Sequence, residues 1–396
     1  MRIAYIAPYQ GPGLVKSRPI VRNHSLAGSV KIELIAGLLS SSFHPVEIIS
    51  QGEVIELKCR FYPSFCEPER FHPDIPISYS SALPIRFLNS LWASIHTLHL
   101  FKVRHRLSPY DLVIIYNLKL PQVLCANYAI HRLGLPVIFE YEDDAFVDIA
   151  GNASIKVGLA YRFRYGREAS RLLTEVSGCM AASPHLLAQL PSHIPKLLLR
   201  GVVGNDLLKS SEQKRGIKEN WVLFSGTHYR TKGIEQLITA WQTLQLSDWE
   251  LHITGYGELT NTLRKMAENS RSIVFRGLVN RQELVRLMCS AKICINPHDV
   301  SQTPGNVFAF KIIEYLAAGA HVITTPMGTL EKEIECGITY MPNNNPDTIA
   351  ATLKQVILGG RWRQTAAQYV CDLYGPAAVS KALDMLLQHP YLSSSR

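Results

Sequence analysis

Asn306-Val307-Phe308-Ala309-Phe310-Lys311-Ile312-Ile313-Glu314-Tyr315-Leu316-Ala317-Ala318-Gly319-Ala320-His321-Val322-Ile323-Thr324-Thr325 decides how this chain is read. The order is that of a loop, a short helix carrying one carboxylate, a glycine stop and a buried strand. Pro304 and Gly305 precede it, Phe308, Ile312, Tyr315 and Leu316 supply an apolar helix face, Gly319 suits a left-handed cap, and His321 to Thr325 has β-branched strand character. The N-terminus of such a helix directs free N–H groups and a positive dipole end at an anion, so a diphosphate fits there. Further along, Glu314 is placed to accept both hydroxyls of a ribose. An amphipathic helix with a chance glutamate has the same spacing.

Ser225-Gly226-Thr227-His228-Tyr229-Arg230-Thr231-Lys232-Gly233-Ile234 is the second phosphate-binding candidate. It follows a strand pattern and opens a helix, which puts its glycine and its cation at the C-terminal edge of a sheet, where ligands bind in open α/β folds. A fixed cation in a water-poor site strongly stabilises a developing phosphate charge, so Lys232 is the leading candidate to neutralise a leaving diphosphate. A solvated lysine at a helix start is the plain alternative. Gly255-Tyr256-Gly257-Glu258, after the strand Leu251 to Thr254, is at least a tight strand-to-helix turn.

Together these stretches resemble glycosyltransferase family 4, retaining sugar transferases of the GT-B fold, whose signature is Glu-x7-Glu followed by Ala-x-Gly and a strand. Glu314 matches the second Glu. Asn306 stands at the first, the position that in the family reaches the donor sugar's hydroxyls. Gly226 and Lys232 match the family's glycine and the lysine six residues on, while Thr227 replaces the arginine that commonly follows the glycine.

The resemblance implies a UDP- or GDP-linked sugar donor held by Gly226, Thr227, Lys232, Gly305, Asn306, Val307, Phe308, Lys311 and Glu314. It puts Gly255 near the base and Gly13, in Gly11-Pro12-Gly13, in a loop over the donor phosphates. Lys232, Glu314 and Asn306 carry the catalytic expectation. With Thr227 uncharged, Lys311 can supply the missing charge from the same helix face as Glu314, although His228 and Arg230 compete and a simple Lys311–Glu314 ion pair is equally compatible with the spacing.

In the first half, Lys16, Arg18 and Arg22 put three cations within seven residues, which suits a phosphorylated or lipid-linked hydroxyl acceptor or a merely solvated basic loop. Asn117 follows the strand Leu112 to Tyr116 and joins the acceptor-side set. Glu140-Tyr141-Glu142-Asp143-Asp144 ends the strand from Val137, and carboxylates this close repel, so one of them is expected to hold a proton and bond an acceptor hydroxyl. Glu142 and Asp143 are the acceptor-side candidates. A magnesium site is the other reading of that cluster; the match at Lys232 and Glu314 favours cations and helix dipoles in the metal's place, with no cofactor.

Pro84 to Arg106 puts Ile85, Leu88, Trp92, Ile95 and Leu98 on one helical face and ends in Lys102-Val103-Arg104-His105-Arg106. Such a stripe packs on a sheet or lies on an anionic membrane, and core packing is the expectation.

With 396 residues, 47% hydrophobic and 18% charged, the chain exceeds one ordinary core and is not disordered. Strand and helix patterns alternate twice, around a polar stretch from Gly201 to Asn220 that reads as a linker. The expected organisation is an α/β GT-B protein: an acceptor-side Rossmann-like domain over 1–203, a donor domain over 204–372 facing it across a cleft, and a helix within 373–396 that the resemblance sends back onto the first domain. Residues 8–27 read as a long loop.

Net charge is +9, which allows nucleic acid, an anionic membrane or a phosphorylated substrate as partner. No interleaved basic and aromatic motif supports nucleic acid. Eight cysteines without a Cys-x-x-Cys pair read as reduced thiols, and the short apolar N-terminus reads as a strand, so a cytoplasmic protein, peripheral at most to a membrane, is expected. The alternatives to a transferase are a non-catalytic nucleotide-sugar-binding protein and a GT-B sugar-nucleotide epimerase.

Overall fold

Apolar strands alternating with helices of about a dozen residues bury best as a parallel sheet with helices on both faces. The computed structural model, which describes residues 1–18, 26–52, 60–85, 88–142, 159–213, 218–300, 308–328, 330–363 and 365–393, contains two such units. One comprises Met1–Val202 with Val379–Arg396, the other Val203–Ala378.

The first unit is built on eight strands: β1 (Ile3–Ile6), β2 (Val46–Ser50), β3 (Phe65–Cys66), β4 (Ile77–Tyr79), β5 (Leu112–Tyr116), β6 (Val137–Tyr141), β7 (Gly178–Ala181) and β8 (Lys196–Leu198). Their order is β3-β4-β2-β1-β5-β6-β7-β8, parallel except for the β3–β4 pair. Ile3 lies between Val46 and Leu112, so β1 is central and the chain departs to opposite sides of it. Tyr5, Ile48 and Ile114 pack on one face with Ile32, Ile35 and Leu39 of the helix Leu26–Ser41. Ala4, Val113 and Phe139 pack on the other, with Phe101, Val123 and Leu172. The helix Pro376–Leu387 sends Val379, Leu383, Leu386 and Leu387 into the first of these cores.

The second unit carries β9 (Glu219–Ser225), β10 (Glu250–Thr254), β11 (Ile273–Gly277), β12 (Ala291–Asn296), β13 (His321–Thr324) and β14 (Ile338–Tyr340), all parallel, in the order β11-β10-β9-β12-β13-β14. The chain steps outward from β9 through β10 and β11, then returns to β12 on the other side. The ends of β9 and β12 therefore form the topological switch point, where connections diverge and leave a crevice.

Three local readings change. The presumed linker contains a helix, Asn205–Gln213, because Leu207 and Leu208 pack into the core of the second unit. The presumed loop over residues 8–27 contains the short helix Pro12–Ser17. The helix expected from Pro84 runs Asn89–Leu107 and buries Ala93, Ser94, Thr97 and Phe101, while Leu88 and Ile95 of the presumed core stripe are exposed. Burial falls on the side of the helix that meets the sheet and the helix Leu120–Tyr128, where Phe101 packs with Val113 and Val123.

Candidate functional site

At the switch point of the second unit, β9 ends at Ser225. Tyr315, from the helix Lys311–Ala317, fixes that end: its hydroxyl accepts the Ser225 N–H at 3.0 Å and lies 2.8 Å from Ser225 Oγ. One turn earlier on the same helix, Lys311 Nζ donates to the Ser225 carbonyl at 3.1 Å and lies 4.5 Å from the Phe224 ring centroid. Lys311 is thus not engaged with Glu314, although three residues separate them.

Glycines bring the surrounding loops together. Gly226 has φ +149° and Gly255 φ +123°, and a Cβ on Gly255 would overlap the Gly226 carbonyl. Their own N–H groups are used by Thr254 O at 3.1 Å and Gly277 O at 2.9 Å, so both serve close approach rather than donate to an anion. Gly233, at φ +69°, lets the turn Arg230–Lys232 lie against the Pro297 carbonyl, and Asp299 N–H donates to Thr231 O at 2.9 Å. That packing carries Lys232 from the β9 side to the end of β12.

The cations act on one another. Burial of the ammonium, reinforced by the charge of Lys232, draws the Lys311 pKa down to about 7. His298, just beyond β12, is drawn down to about 4 by burial and then by Lys232 and Lys311, so it is neutral at physiological pH. Its Nε2 is buried without a hydrogen-bond partner. His228, buried and drawn down by desolvation, sets Nδ1 2.9 Å from Thr260 Oγ1. Crowded cations with a neutral imidazole beside them form a region that an anion would relieve.

Glu314 is held by Arg281. The guanidinium donates Nη1–H to Glu314 Oε1 at 2.5 Å and Nε–H to Asp206 Oδ2 at 2.8 Å. Arg281 opens the helix Arg281–Ser290, whose start is set by Asn280 accepting the Glu283 N–H at 2.9 Å. The helix Lys311–Ala317 begins later than expected, and the Ile312 and Ile313 N–H groups are spent on the Ala309 and Phe310 carbonyls, both at 2.9 Å. Thr227 is exposed, and Phe308 packs partly against the core. Gly305, Asn306 and Val307 lie outside the described residues.

Sequence reasoning missed Arg281, Asp206 and His298. The cap at Asn280 could have located Arg281 on a helix start, but nothing in the local pattern links it to Glu314 or Asp206.

In the first unit the described acceptor-side residues fall into different surroundings, with only Asn117 and Glu142 in contact. Arg18 is 1% exposed, contrary to its place in a basic surface loop: its guanidinium donates to the Gly52, Pro63 and Ser80 carbonyls, the last two at 2.9 and 2.8 Å. Cationic surface is therefore lost at that position, because three inward carbonyls need a donor more than solvent does. Lys16 is exposed and pairs with Glu69 at 3.3 Å. Arg22 and Asp143 lie outside the described residues. Gly13 N–H donates to the buried Glu67 Oε1 at 2.7 Å, and a Cβ there would overlap that carboxylate. An internal anion thus already occupies the amide expected over donor phosphates.

Asn117, left-handed at φ +56°, accepts the Glu142 N–H at 2.8 Å and donates its own N–H to Glu140 O at 2.8 Å. Lys31 pairs with Glu142, lies 3.9 Å from Glu140 and donates to Leu199 O at 2.9 Å. Tyr5 donates its hydroxyl to Glu140. Burial raises the Glu140 carboxyl well above the usual range, with Lys31 opposing the rise and Glu142 adding to it. The strained backbone at Asn117 and the wholly buried Glu140 mark the C-terminal ends of β5 and β6.

Solved structures with the same fold span nearly the whole chain. A sucrose-phosphate synthase from Thermosynechococcus elongatus matches with TM-score 0.73 at 14% identity, covering 99% of this chain and 100% of its own. HepE from Anabaena in complex with UDP gives 0.64 at 14%, covering 98% and 99%. The catalytic domain of starch synthase IV from Arabidopsis thaliana bound to ADP and acarbose gives 0.64 at 10%, covering 99% of each. The chain has the GT-B fold. Within it, residues 219–358, from β9 through β14 and the helix that follows, match the family model described as glycosyl transferases group 1. No curated protein matches the sequence.

Proposed function

We propose that the chain is a retaining glycosyltransferase that moves a hexose or related sugar from a UDP- or GDP-sugar to a hydroxyl acceptor, phosphorylated or lipid-linked. The observation that carries this reading is the pair Lys311 and Lys232 at the switch point: one ammonium is drawn down to about 7 by burial and by the charge of the other. Two cations crowded in this way gain most from an anion of two charges, and a diphosphate supplies them. The glycosyltransferase group 1 match over the same residues supports the choice of a nucleotide-sugar.

In this reading Lys232 and Lys311 neutralise the leaving diphosphate, stabilising the transition state more than the ground state as charge develops on its oxygen. Glu314, oriented by Arg281, receives the ribose hydroxyls. The acceptor proton passes to a donor phosphate oxygen as the acceptor attacks from the leaving-group face, which retains the anomeric configuration. Asn306 reads the sugar. In the first unit Glu142, beside the wholly buried Glu140 that carries its proton near neutrality, serves the acceptor, with glycolipid or surface-polysaccharide assembly as the setting that the family resemblance implies. The chemistry operates in the cytoplasm.

The test is release of nucleoside diphosphate from UDP- and GDP-sugars with and without hydroxyl acceptors. Release that depends on acceptor supports transfer. Release without acceptor would indicate hydrolysis or epimerisation, and binding without release from any donor would indicate a non-catalytic protein.

A further inference from the structure

The helix Asn89–Leu107 carries apolar side chains on two opposed faces. Its inner face, from Ala93 through Thr97 to Phe101, is buried. Its outer face begins with Leu88, just before the first turn, and continues with Leu91 and Ile95; they are 50%, 46% and 51% exposed. Spacings of three and four residues set these side chains one above another, giving a stripe roughly 10 Å long. Trp92 borders the stripe, stacked on His96 at 4.2 Å, and the exposed Phe61 meets its ring edge at 6.3 Å.

The same outward line continues through His99, Lys102 and Arg106, so the face changes from apolar to cationic along its length. Arg106 and His99 are exposed, Lys102 lies over the Tyr128 ring at 4.4 Å, and Arg104 turns inward to Glu47 at 2.5 Å. Between Asp74 and Asp111 the sequence contains no Asp or Glu, while Arg86, Lys102, Arg104 and Arg106 fall within it. No described helix is long and apolar enough to cross a membrane.

We infer that this face of the first unit docks on an anionic lipid surface, with Leu88, Leu91, Ile95 and Phe61 entering the headgroup boundary, Trp92 at its edge and Arg106 against lipid phosphates. The occupant is argued from charge: a helix with no Asp or Glu in its sequence, apolar on its outer face at one end and carrying the exposed Arg106 at the other, matches a negatively charged sheet of headgroups over acyl chains. The inference is independent of the catalytic reading, since none of these residues belongs to the switch-point site.

The experiment is flotation of the full-length protein with vesicles of phosphatidylcholine alone and of phosphatidylcholine mixed with phosphatidylglycerol, at low and high salt. The protein should float with the mixed vesicles, less at high salt, and remain behind with the neutral ones. Leu91→Ser with Ile95→Ser should lower the bound fraction by about tenfold or more, since two apolar anchors are lost. Arg106→Glu should remove the preference for anionic lipid. These positions are exposed, and an unchanged circular dichroism spectrum and Tm check that each variant is folded. Absence of flotation by the parent protein overturns the inference, as does equal flotation of parent and both variants. Loss of a dimer in Leu91→Ser/Ile95→Ser, without parental flotation, would assign the face to a second copy instead.

Discussion

Arg281 donates its Nη1–H to Glu314 Oε1 at 2.5 Å, so the carboxylate proposed to meet a ribose is gripped on one side before any ligand arrives. Asp206 holds the far side of the same guanidinium at 2.8 Å, and the Arg281 charge keeps the Asp206 carboxyl below its ordinary range. Arg281→Ala should weaken nucleoside diphosphate binding by up to about 1.5–3 kcal/mol, the scale of a charge-assisted hydrogen bond. Calorimetry on Arg281→Ala, Glu314→Gln and the double variant checks it. If Arg281 acts through Glu314, the two losses are less than additive; strict additivity would remove the positioning role.

Lys311 should make diphosphate binding in the proposed site depend on protons. Its folded pKa, about 7, lies below the ordinary lysine value of 10.5. Between these values the unfolded chain holds the proton and the folded chain does not, so this group makes stability rise with pH across that window. A diphosphate bound beside it should restore the charge. At pH 8, calorimetry in buffers of different ionisation enthalpy should therefore register proton uptake on binding, and Lys311→Met should abolish it. Equal enthalpies in all buffers would count against contact between Lys311 and the diphosphate.

Lys232→Ala should weaken the diphosphate by about 1.5–3 kcal/mol, as for a charged hydrogen bond. Affinity within twofold of the parent would take Lys232 out of the site. The same substitution removes a charge that pushes both neighbours down, so the Lys311 and His298 pKa values should rise. Nuclear magnetic resonance titration of the His298 ring reads that shift directly.

Asn306 carries an amide, which donates and accepts hydrogen bonds, where the resembled family carries a carboxylate that only accepts while ionised. The donor sugar should accordingly offer an acceptor or mixed pair at the contacted position, as N-acetylated, oxidised or deoxygenated sugars do. Asn306→Glu should change the ranking across a donor panel while sparing the bare nucleoside diphosphate. An unchanged ranking would mean that Asn306 does not read the sugar.

Arg18 and Lys16 should behave oppositely despite their proximity. Arg18→Met strands three inward carbonyls and should cost about 3 kcal/mol or more of stability, read as a fall in Tm. Lys16→Met disturbs only an exposed pair and should cost less than about 1 kcal/mol. A stable Arg18→Met with a raised acceptor KM would return Arg18 to the acceptor side.

Much of the fold lay open in the order of residues because it rests on local chemistry. Apolar strands such as Leu112–Tyr116 and Val137–Tyr141 declare themselves through β-branched runs, and Gly319, left-handed at φ +72°, ends its helix where a residue without Cβ is cheapest. The places of Gly226, Lys232 and Glu314 in the second unit were legible for the same reason, since each sits a few residues from a strand end. Tertiary structure alone decided which groups those residues meet. Lys311 turns to the Ser225 carbonyl, leaving Glu314 to Arg281, because β9 ends beside the start of one helix and Arg281 opens another. Arg18 and Ile95 exchanged their expected places, one to the interior and one to the surface, since sequence spacing records periodicity but not which side of a helix or loop finds a partner.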